Sequence, residues 1–389
     1  TTSKAHTAVK IHPELNNPLV HVKDASSAVL VVNKIIGKDN ESYINDINSE
    51  YVQLRENFLK RKKSKEYIDI ESARDNKFNI NWNQEKIVKP KFLGKKIIED
   101  LDLNIIKEYI DWTPFFRAWD LHGRFPNILD DEIVGKQAKD LYKDALMMLE
   151  KIVNEKWLVA KACFGIYCSN SIGDDIEIYT DEKRNSSRYK FLTLRQQLKK
   201  REGIPNIALS DFIAPKETKL NDYIGAFCVT AGFGCDEKSN AFISDNDDYN
   251  SILIKALADR LAEASAEYLH RQIRVNYWGY SPDEQLNNEG LIKEKYRGIR
   301  PAPGYPACPD HLEKETIWKL LSVEKSIGVK LTENLAMWPA ASVSGYYFSN
   351  PESKYFGLGK IKEDQLIDYS KRRNISIEKA RKWLNPNLV

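Results

Sequence analysis

The stretch LVAKACFGIYCSNSIGDDIEIYT (158–180) decides the fold class of this chain. It contains an apolar, strand-like run at 158–168, a turn around Gly173-Asp174 and a second strand-like run at 175–180. Two such runs joined through a glycine-containing turn are typical of a β-hairpin. The pattern therefore predicts two neighbouring antiparallel strands.

Five more strand-like segments follow this hairpin in the sequence. Three of them, 187–193, 206–213 and 222–231, follow it directly, and two, 342–348 and 354–359, lie near the C-terminus. Strands that are grouped, instead of alternating one by one with helices, favour an α+β fold. We therefore predict a mainly antiparallel sheet with flanking helices.

Helices are predicted where apolar residues recur three and four positions apart. This spacing extends from 134 to 152 and from 247 to 277. Shorter helices are predicted at 312–327 and at 101–110, where Pro114 restricts the chain soon afterwards. These helices supply the apolar faces that can cover the sheet.

The N-terminal part of the chain has a different pattern. Residues 2–10 and 26–36 are predicted helices on either side of a short strand-like segment, LVHV (19–22). A single strand cannot form a sheet with two covered faces. We therefore interpret residues 1–38 as the tail of an α/β domain, and the chain as a fragment of a longer protein.

The region between this tail and the α+β part is interpreted as a helix and a linker. Apolar spacing predicts a helix at 41–62, and the charged, weakly periodic stretch at 63–95 is typical of a linker. The predicted division is therefore 1–38 for the α/β tail, 39–96 for the helix and linker, and 97–389 for the α+β domain.

The composition is that of a globular protein with a sizeable core. The 389 residues are 42% hydrophobic and 30% charged, and 59 basic residues nearly balance 56 acidic ones. This balance does not indicate a nucleic-acid partner. No run approaches the roughly 18 consecutive apolar residues of a membrane span. Five cysteines without CxxC spacing favour free thiols and a cytoplasmic location.

Motifs of the common enzyme classes are absent from the sequence. It contains no GxGxxG, no P-loop, no HExxH and no GxSxG. The usual parts of dehydrogenases, kinases and hydrolases are therefore missing. We assign no catalytic general acid, general base or nucleophile.

The loop RGIRPAPGYPACPDH (297–311) is the strongest candidate for a binding site. Its prolines stiffen the backbone and remove N–H donors, while Gly304 permits close approach of a ligand. The guanidinium of Arg300 can bind a carboxylate through two parallel hydrogen bonds, and the ring of Tyr305 can face a base or a cation. These properties suit a small zwitterionic ligand with an aromatic part.

Two alternatives fit the same loop. A stiff surface connection needs no ligand, and the residues alone do not distinguish it from a binding loop. Cys308 and His311 are residue types that bind zinc, but a structural zinc site takes four ligands and two partners are missing.

Several blocks extend over about 97–389 in a fixed order: YIDWTPFF (109–116), GDDIEIY (173–179), DYIGAF (222–227), KALADRLAEASAEYLH (255–270), RPAPGYPACPDH (300–311), LTENLAMWPAASVSGYYFSNPESKYF (331–356) and WLNPNL (383–388). Together they closely resemble the activation domain of the cobalamin-dependent methionine synthase family. The opening TTSKAHTAVKI (1–11) resembles the end of that family's cobalamin-binding domain.

The resemblance implies a function. In this family the activation domain binds S-adenosylmethionine and supports reductive methylation, in which cob(II)alamin formed by accidental oxidation is returned to methylcobalamin. The methyl comes from S-adenosylmethionine and the electron from flavodoxin or a similar reductase. The implied partners are therefore that reductase and the cobalamin-binding domain of the same enzyme, which holds most of the cobalamin site.

The implied role is that of a methyltransferase component in methionine biosynthesis. The sequence lacks the axial-histidine motif DxHxxG and the homocysteine and folate modules, so this chain is not expected to make methionine alone. The alternative is an S-adenosylmethionine-sensing or scaffold module without its own turnover.

The resemblance also implies ligand contacts. For S-adenosylmethionine these are Asp111, Glu263, Arg300, Pro301, Ala302, Pro303, Gly304, Tyr305, Tyr355 and Phe356. Phe356 stands where the family often has a tyrosine, so packing is retained there without the hydroxyl. Ala25, in KDAS, matches a loop that contacts cobalamin, and no metal ligand is implied.

Two of these residues have simpler interpretations from spacing alone. Asp111 follows a predicted helix and fits an ordinary helix-end residue. Glu263 lies at helical spacing from Arg260, Glu267 and His270, which is typical of a solvated face with surface ion pairs. The resemblance favours a ligand role for both.

Overall fold

A computed structural model of the chain describes residues 3–15, 17–22, 25–37, 40–63, 65–82 and 87–389. The chain divides into two compact units, Thr1–Ile68 and Asp69–Val389. The boundary that we predicted at 96/97 lies inside the second unit, and the division into three regions stays a prediction.

Most of the described residues in the first unit are helical. Its α-helices are α1 (Lys4–His6), α2 (Ala25–Ile36) and α3 (Asn40–Lys63). The hydroxyl of Ser3 caps α1 by accepting a hydrogen bond from the His6 N–H at 3.2 Å. The strand predicted at 19–22 is wrong, because the described part of this unit contains no strand that pairs with it.

The helices of the second unit are α4 (Ile70–Asp75), α5 (Leu103–Ile106), α6 (Thr113–Ala118), α7 (Gly135–Asn154), α8 (Cys235–Ser244), α9 (Asp248–Gln272), α10 (Asn288–Ile292), α11 (Glu313–Leu321), α12 (Val323–Ile327), α13 (Glu363–Arg373) and α14 (Ile377–Leu384). Its strands are β1 (Gly94–Ile98), β2 (Val159–Ile172), β3 (Asp175–Tyr179), β4 (Ser187–Leu192), β5 (Asp222–Phe233), β6 (Lys330–Leu331), β7 (Met337–Trp338) and β8 (Ser342–Tyr347). None of the described helices is long and apolar enough to cross a membrane.

A six-stranded antiparallel sheet forms the centre of this unit. The order is β4-β3-β2-β5-β8, and β1 also pairs with β2. Strands β2 and β3 form the predicted hairpin, with Gly173 at φ 57° in the turn. The α+β class with a mainly antiparallel sheet and flanking helices is therefore confirmed.

Two further predicted strands, both in the second unit, are wrong. Residues 206–213 contain a 3₁₀ turn, Leu209–Phe212, and residues 354–359 pair with no strand. Leu209 and Phe212 are fully buried, so the apolar run there reflects burial and not strand pairing. The helix predicted at 312–327 is two helices, because Ser322 adopts φ 49° between α11 and α12.

The sheet separates two hydrophobic clusters because successive side chains of a strand point to opposite faces. Phe164 and Phe227 belong to the cluster that α7 and α9 cover. Their neighbours Cys163 and Cys228 belong to the cluster that α11 covers. All five cysteines are free and buried.

We expect Phe227→Ala to lower the free energy of unfolding of this unit by about 3–5 kcal/mol, because a buried aromatic ring is lost and a cavity remains. Phe227 is fully buried and stacks on Tyr347, with ring centroids 4.6 Å apart. Urea unfolding followed by tryptophan fluorescence measures the change, since all eight tryptophans lie in 69–389. Ile133→Ala is the control, because Ile133 is 92% exposed. Equal stability of the two variants would contradict the prediction.

Candidate functional site

The loop at 297–311 begins as an extension of the sheet edge. Ile299 and Phe348 exchange two backbone hydrogen bonds, of 3.1 and 3.0 Å, just beyond β8. The Tyr346 N–H also donates to the Pro301 carbonyl at 2.9 Å. The backbone before and after Arg300 is therefore held by β8 and the residues that follow it.

The tip of the loop is a tight turn. The Tyr305 N–H donates to the Ala302 carbonyl at 3.1 Å, and the Gly304 N–H donates to the Cys308 carbonyl at 2.7 Å. Gly304 has φ 95°, and a Cβ there would lie 2.5 Å from His311 Cε1. The turn itself therefore requires glycine at 304, and a role in close approach of a ligand stays a prediction.

A cavity of about 460 Å³ opens between this loop, α9 and the segment after β8. Seven of the predicted ligand residues line it: Glu263, Arg300, Pro301, Ala302, Tyr305, Tyr355 and Phe356. Pro303 and Gly304 belong to the same loop but not to this lining. Residues far apart in the sequence therefore meet at one place.

A second cavity of about 280 Å³ adjoins the first, because both are lined by Glu263, Glu294 and Arg300. Asp111 and Glu267 are the further carboxylates of this second cavity. Asp111 thus lies next to the first cavity and not in its lining. Four carboxylates and the guanidiniums of Arg260 and Arg300 line the second cavity, so its balance is acidic.

Asp111 also fills the structural role that the sequence alone indicated. Its Oδ1 accepts a hydrogen bond from the Thr113 N–H at 3.0 Å, at the start of α6. Its Oδ2 forms no hydrogen bond within the described residues. One oxygen thus holds the helix start while the other remains available at the cavity.

The interpretation of the α9 stripe as a solvated face is wrong. His270 is fully buried, the Glu267 side chain is 13% exposed, and Glu263 is half-buried. The ring of Tyr296 packs against His270, with centroids 4.9 Å apart, and so covers this side of the helix. Sequence spacing does not reveal such a cover, because it comes from a segment more than twenty residues away.

Arg300 is charged and largely enclosed. Its Nη2 donates to Glu267 Oε2 at 3.1 Å, and the side chain is 14% exposed. Burial works against the charged form, but Glu267, Tyr296, Tyr355 and Glu263 together outweigh it and raise the pKa of Arg300 above its ordinary value. The guanidinium therefore remains a cation at the cavity wall.

Aromatic side chains complete the cavity. The Tyr355 hydroxyl accepts a hydrogen bond from the Arg300 N–H at 2.9 Å and lies 3.3 Å from the Tyr296 hydroxyl. Phe356 contacts the edge of Phe212, with centroids 6.4 Å apart. Tyr305 is 55% exposed, so most of its ring is open to solvent.

Glu267, Glu294 and Tyr296 also line these cavities, although the sequence does not predict them for the site. Glu267 follows Glu263 by one helical turn, and this i,i+4 spacing is the signal that places both on one face. Glu294 and Tyr296 lie just before the loop, but nothing in their local pattern distinguishes them from exposed linker residues.

Cys308 and His311 lie at the base of the loop. Burial raises the pKa of the Cys308 thiol, and His311 Nδ1 lies 3.2 Å from Lys314 Nζ. Among the described residues, no group of three or more His, Cys, Asp or Glu side chains is arranged to hold a metal ion.

The loop ends at a buried acidic pair that shares one arginine. Glu313 and Asp310 both contact the Arg373 guanidinium, and Asp310 also accepts a hydrogen bond from the Tyr369 hydroxyl. The Tyr346 hydroxyl donates to Glu313 at 3.1 Å. Two carboxylates against one guanidinium favour retention of a proton. Burial, opposed by Arg373 and reinforced by Asp310, raises the pKa of Glu313 to about 7.

The fold defines an α+β domain with a cavity of the size that small molecules occupy, walled by a proline-rich loop. Residues 102–374 match the family described as "Vitamin B12 dependent methionine synthase, activation domain". This chain belongs to that family, and the resemblance seen in the sequence is confirmed. Methionine synthase, the enzyme that contains this domain family, is a methyltransferase.

A solved structure described as "Crystal Structure of the MetH Reactivation Domain bound to AdoHcy" is similar to this chain. The two are 51% identical and superpose with a TM-score of 0.81 over 83% of this chain and 98% of that chain. The neighbour's ligand, AdoHcy, is the demethylated form of S-adenosylmethionine.

We expect Gly304→Ala to destabilise the protein by about 1–3 kcal/mol, because an L-residue is strained at this φ and its Cβ meets the His311 ring. Thermal unfolding measures the effect. Gly357→Ala is the matched control, since nothing lies within 4 Å of a Cβ at that position. An unchanged melting temperature for Gly304→Ala would show that the turn can relax.

We expect the Glu313 pair to make stability depend on pH. The folded protein holds this proton up to a pKa of about 7, whereas the unfolded chain releases it near 4.5. The contribution of Glu313 to the free energy of unfolding therefore falls as the pH rises through this interval. His270 has a lowered pKa caused by burial and acts in the opposite direction, so the total profile mixes both.

The measurement is the difference in urea stability between the parent chain and Glu313→Gln, from about pH 5 to about pH 8. This difference reports the contribution of Glu313. As the pH rises, the parent chain should lose stability relative to Glu313→Gln. A difference that is constant with pH would contradict the raised pKa.

Proposed function

We propose that this chain binds S-adenosylmethionine in the cavity between loop 297–305 and α9, and acts there as the reactivation module of a cobalamin-dependent methionine synthase. The observation that carries the proposal is the convergence of Arg300, Glu263, Tyr305 and Tyr355 on one cavity. The AdoHcy bound to the similar reactivation domain supports the same ligand class.

Arg300 is assigned to the α-carboxylate of the ligand. It is the arginine that lines both cavities, and its guanidinium is mostly enclosed. Only one hydrogen bond of this guanidinium, to Glu267, is formed within the described residues, and its Nε has no partner there. Arg300 lines the cavity and its guanidinium lacks a full set of partners, which suits a charged acceptor, because such bonds are about twice as strong as neutral ones.

The acidic side chains are assigned to the cationic part of the ligand. Glu263 and Glu294 line both cavities, and Asp111 lines the adjoining one. S-adenosylmethionine carries an α-ammonium and a sulfonium, and carboxylates stabilise both. Tyr305, Tyr355 and Phe356 offer aromatic faces to the adenine or to the sulfonium.

The work of these residues is positioning. They hold the amino-acid part of the ligand, orient its sulfonium methyl and keep water away from one side of it. No side chain here needs to take or give a proton, because transfer of a methyl from a sulfonium leaves a neutral thioether. The module thus contributes orientation and not acid–base chemistry.

Cobalamin would supply the metal centre that accepts the methyl. In the first unit, Asn48 and Arg55 engage both ring nitrogens of His12, so this histidine is not poised to bind the metal. Ala25 begins α2, but its side chain lies outside the described residues, so its contact with cobalamin stays a prediction.

We therefore assign cobalamin mainly to another domain of the same enzyme, and we propose that domain and a flavodoxin-like reductase as partners. We also propose a cytoplasmic location, because the five buried thiols are unpaired and need no oxidising compartment.

We expect Arg300→Ala to weaken S-adenosylmethionine binding at least about tenfold, since a charge-assisted pair contributes about 1.5–3 kcal/mol. Isothermal titration calorimetry measures the affinity. Arg201→Ala is the control, because Arg201 is exposed and lies outside the cavity lining. No binding by the parent chain would overturn the proposal.

The sensing or scaffold alternative needs a separate test. The chain is mixed with the cobalamin-binding fragment, a reductant and S-adenosylmethionine labelled in its methyl group. Transfer of label to cobalamin that requires this chain supports the reactivation role. Binding without transfer would favour the alternative.

A further inference from the structure

A row of alternating charges lies behind Arg300. Glu284 receives two hydrogen bonds from Arg274, at 2.6 and 2.8 Å. Arg274 Nη1 lies 3.7 Å from Glu267 Oε1. Glu267 Oε2 in turn accepts a hydrogen bond from Arg300 Nη2 at 3.1 Å. The row therefore leads from a buried carboxylate to the guanidinium at the cavity wall.

These charges are enclosed by protein. The Arg274 side chain is fully buried, that of Glu284 is 6% exposed, and those of Glu267 and Arg300 are 13% and 14% exposed. Charges in such surroundings interact strongly, and removal of one partner leaves the other without compensation. Without the Glu267 charge, two guanidiniums would face each other across its place.

A second connection runs from Arg274 to the backbone of Arg300. The Arg274 guanidinium lies over the Tyr296 ring, 4.2 Å from its centroid. The Tyr296 hydroxyl is 3.3 Å from the Tyr355 hydroxyl, which accepts the Arg300 N–H at 2.9 Å. Arg274 therefore supports the side chain of Arg300 through Glu267 and its backbone through the two tyrosines.

Other carboxylates compete for the same guanidinium. Glu263 and Glu294 line both cavities beside Arg300, but neither forms a hydrogen bond with it among the described residues. If Glu267 lost its charge, the guanidinium would turn towards one of these two side chains. It would then no longer face a carboxylate of the ligand.

We propose that Glu267 is a positioning residue that sets the orientation of Arg300 for the ligand carboxylate, and that Arg274 and Glu284 hold Glu267 in place. This inference rests on the proposed function of the cavity. Glu267 acts through Arg300, so its effect is restricted to ligands that carry the amino-acid carboxylate.

The test compares two neutral-sulfur ligands that differ in this group. S-adenosylhomocysteine carries the amino-acid part, and 5′-methylthioadenosine lacks it. Glu267→Gln keeps the size of the side chain and removes its charge. We expect the affinity for S-adenosylhomocysteine to fall at least about tenfold. The affinity for 5′-methylthioadenosine, measured by competition, should change by less than about twofold.

Glu284→Gln provides a second variant that does not contact Arg300. This substitution weakens the ion pair with Arg274. We therefore expect a smaller fall in affinity, about threefold, and only for S-adenosylhomocysteine. Glu315→Gln, on the exposed side of α11, is the matched control and should bind both ligands as the parent does. Circular dichroism and melting temperature confirm that each variant is folded.

The outcomes separate the two proposals. If the parent binds neither S-adenosylhomocysteine nor S-adenosylmethionine, the proposed function fails. If the parent binds and Glu267→Gln binds S-adenosylhomocysteine equally well or more tightly, only the positioning role is overturned. An equal loss for both ligands would also overturn it, because a general collapse of the cavity would then be the cause. If Glu267→Gln does not fold, an unchanged affinity in Glu284→Gln overturns the role.

Discussion

The placement of Arg300 between the sheet edge and α9 is the constraint on which the site depends. The exchange of hydrogen bonds between Ile299 and Phe348 makes the loop a continuation of the sheet. This attachment leaves the Arg300 side chain directed at Glu267 on α9, with which it forms an ion pair. Because the sheet and α9 share one hydrophobic cluster, the two halves of the ion pair are as rigidly related as the core itself.

The same cluster connects the core to the polar site through stacked rings. Phe227 of β5 stacks on Tyr347 of β8, and Tyr347 stacks on His270 of α9, with centroids 4.6 and 5.2 Å apart. His270 lies three residues after Glu267, so it shares the helix face that carries Glu263 and Glu267. Burial, with the charges of Arg274 and Arg300, lowers the pKa of His270 well below its ordinary value, so the ring stays neutral beside the charged row.

Much of the fold could be predicted from local pattern. The β2–β3 hairpin, α7 and α9 were found because their periodicity and turn residues agree with the structure that they adopt. Residues 206–213 and 354–359 were wrongly predicted as strands. An apolar run indicates that a segment is buried, but it does not indicate which backbone groups the segment pairs with. The short strand β1 was missed for the converse reason: its three central residues are exposed, so it lacks the apolar signal.

The sequence by itself determined the loop at 297–311, its prolines and Arg300, and, through resemblance, the family and the acidic and aromatic candidates. Spacing alone could not decide whether Asp111 and Glu263 lie on a solvated face or line a cavity. Tertiary structure decided this, by laying Tyr296 and the loop over the polar face of α9 and by setting Arg274, Glu267 and Arg300 in one row. The physical reason is that the charge environment of a side chain is set by its neighbours in space, and those neighbours come from segments that no local pattern brings together.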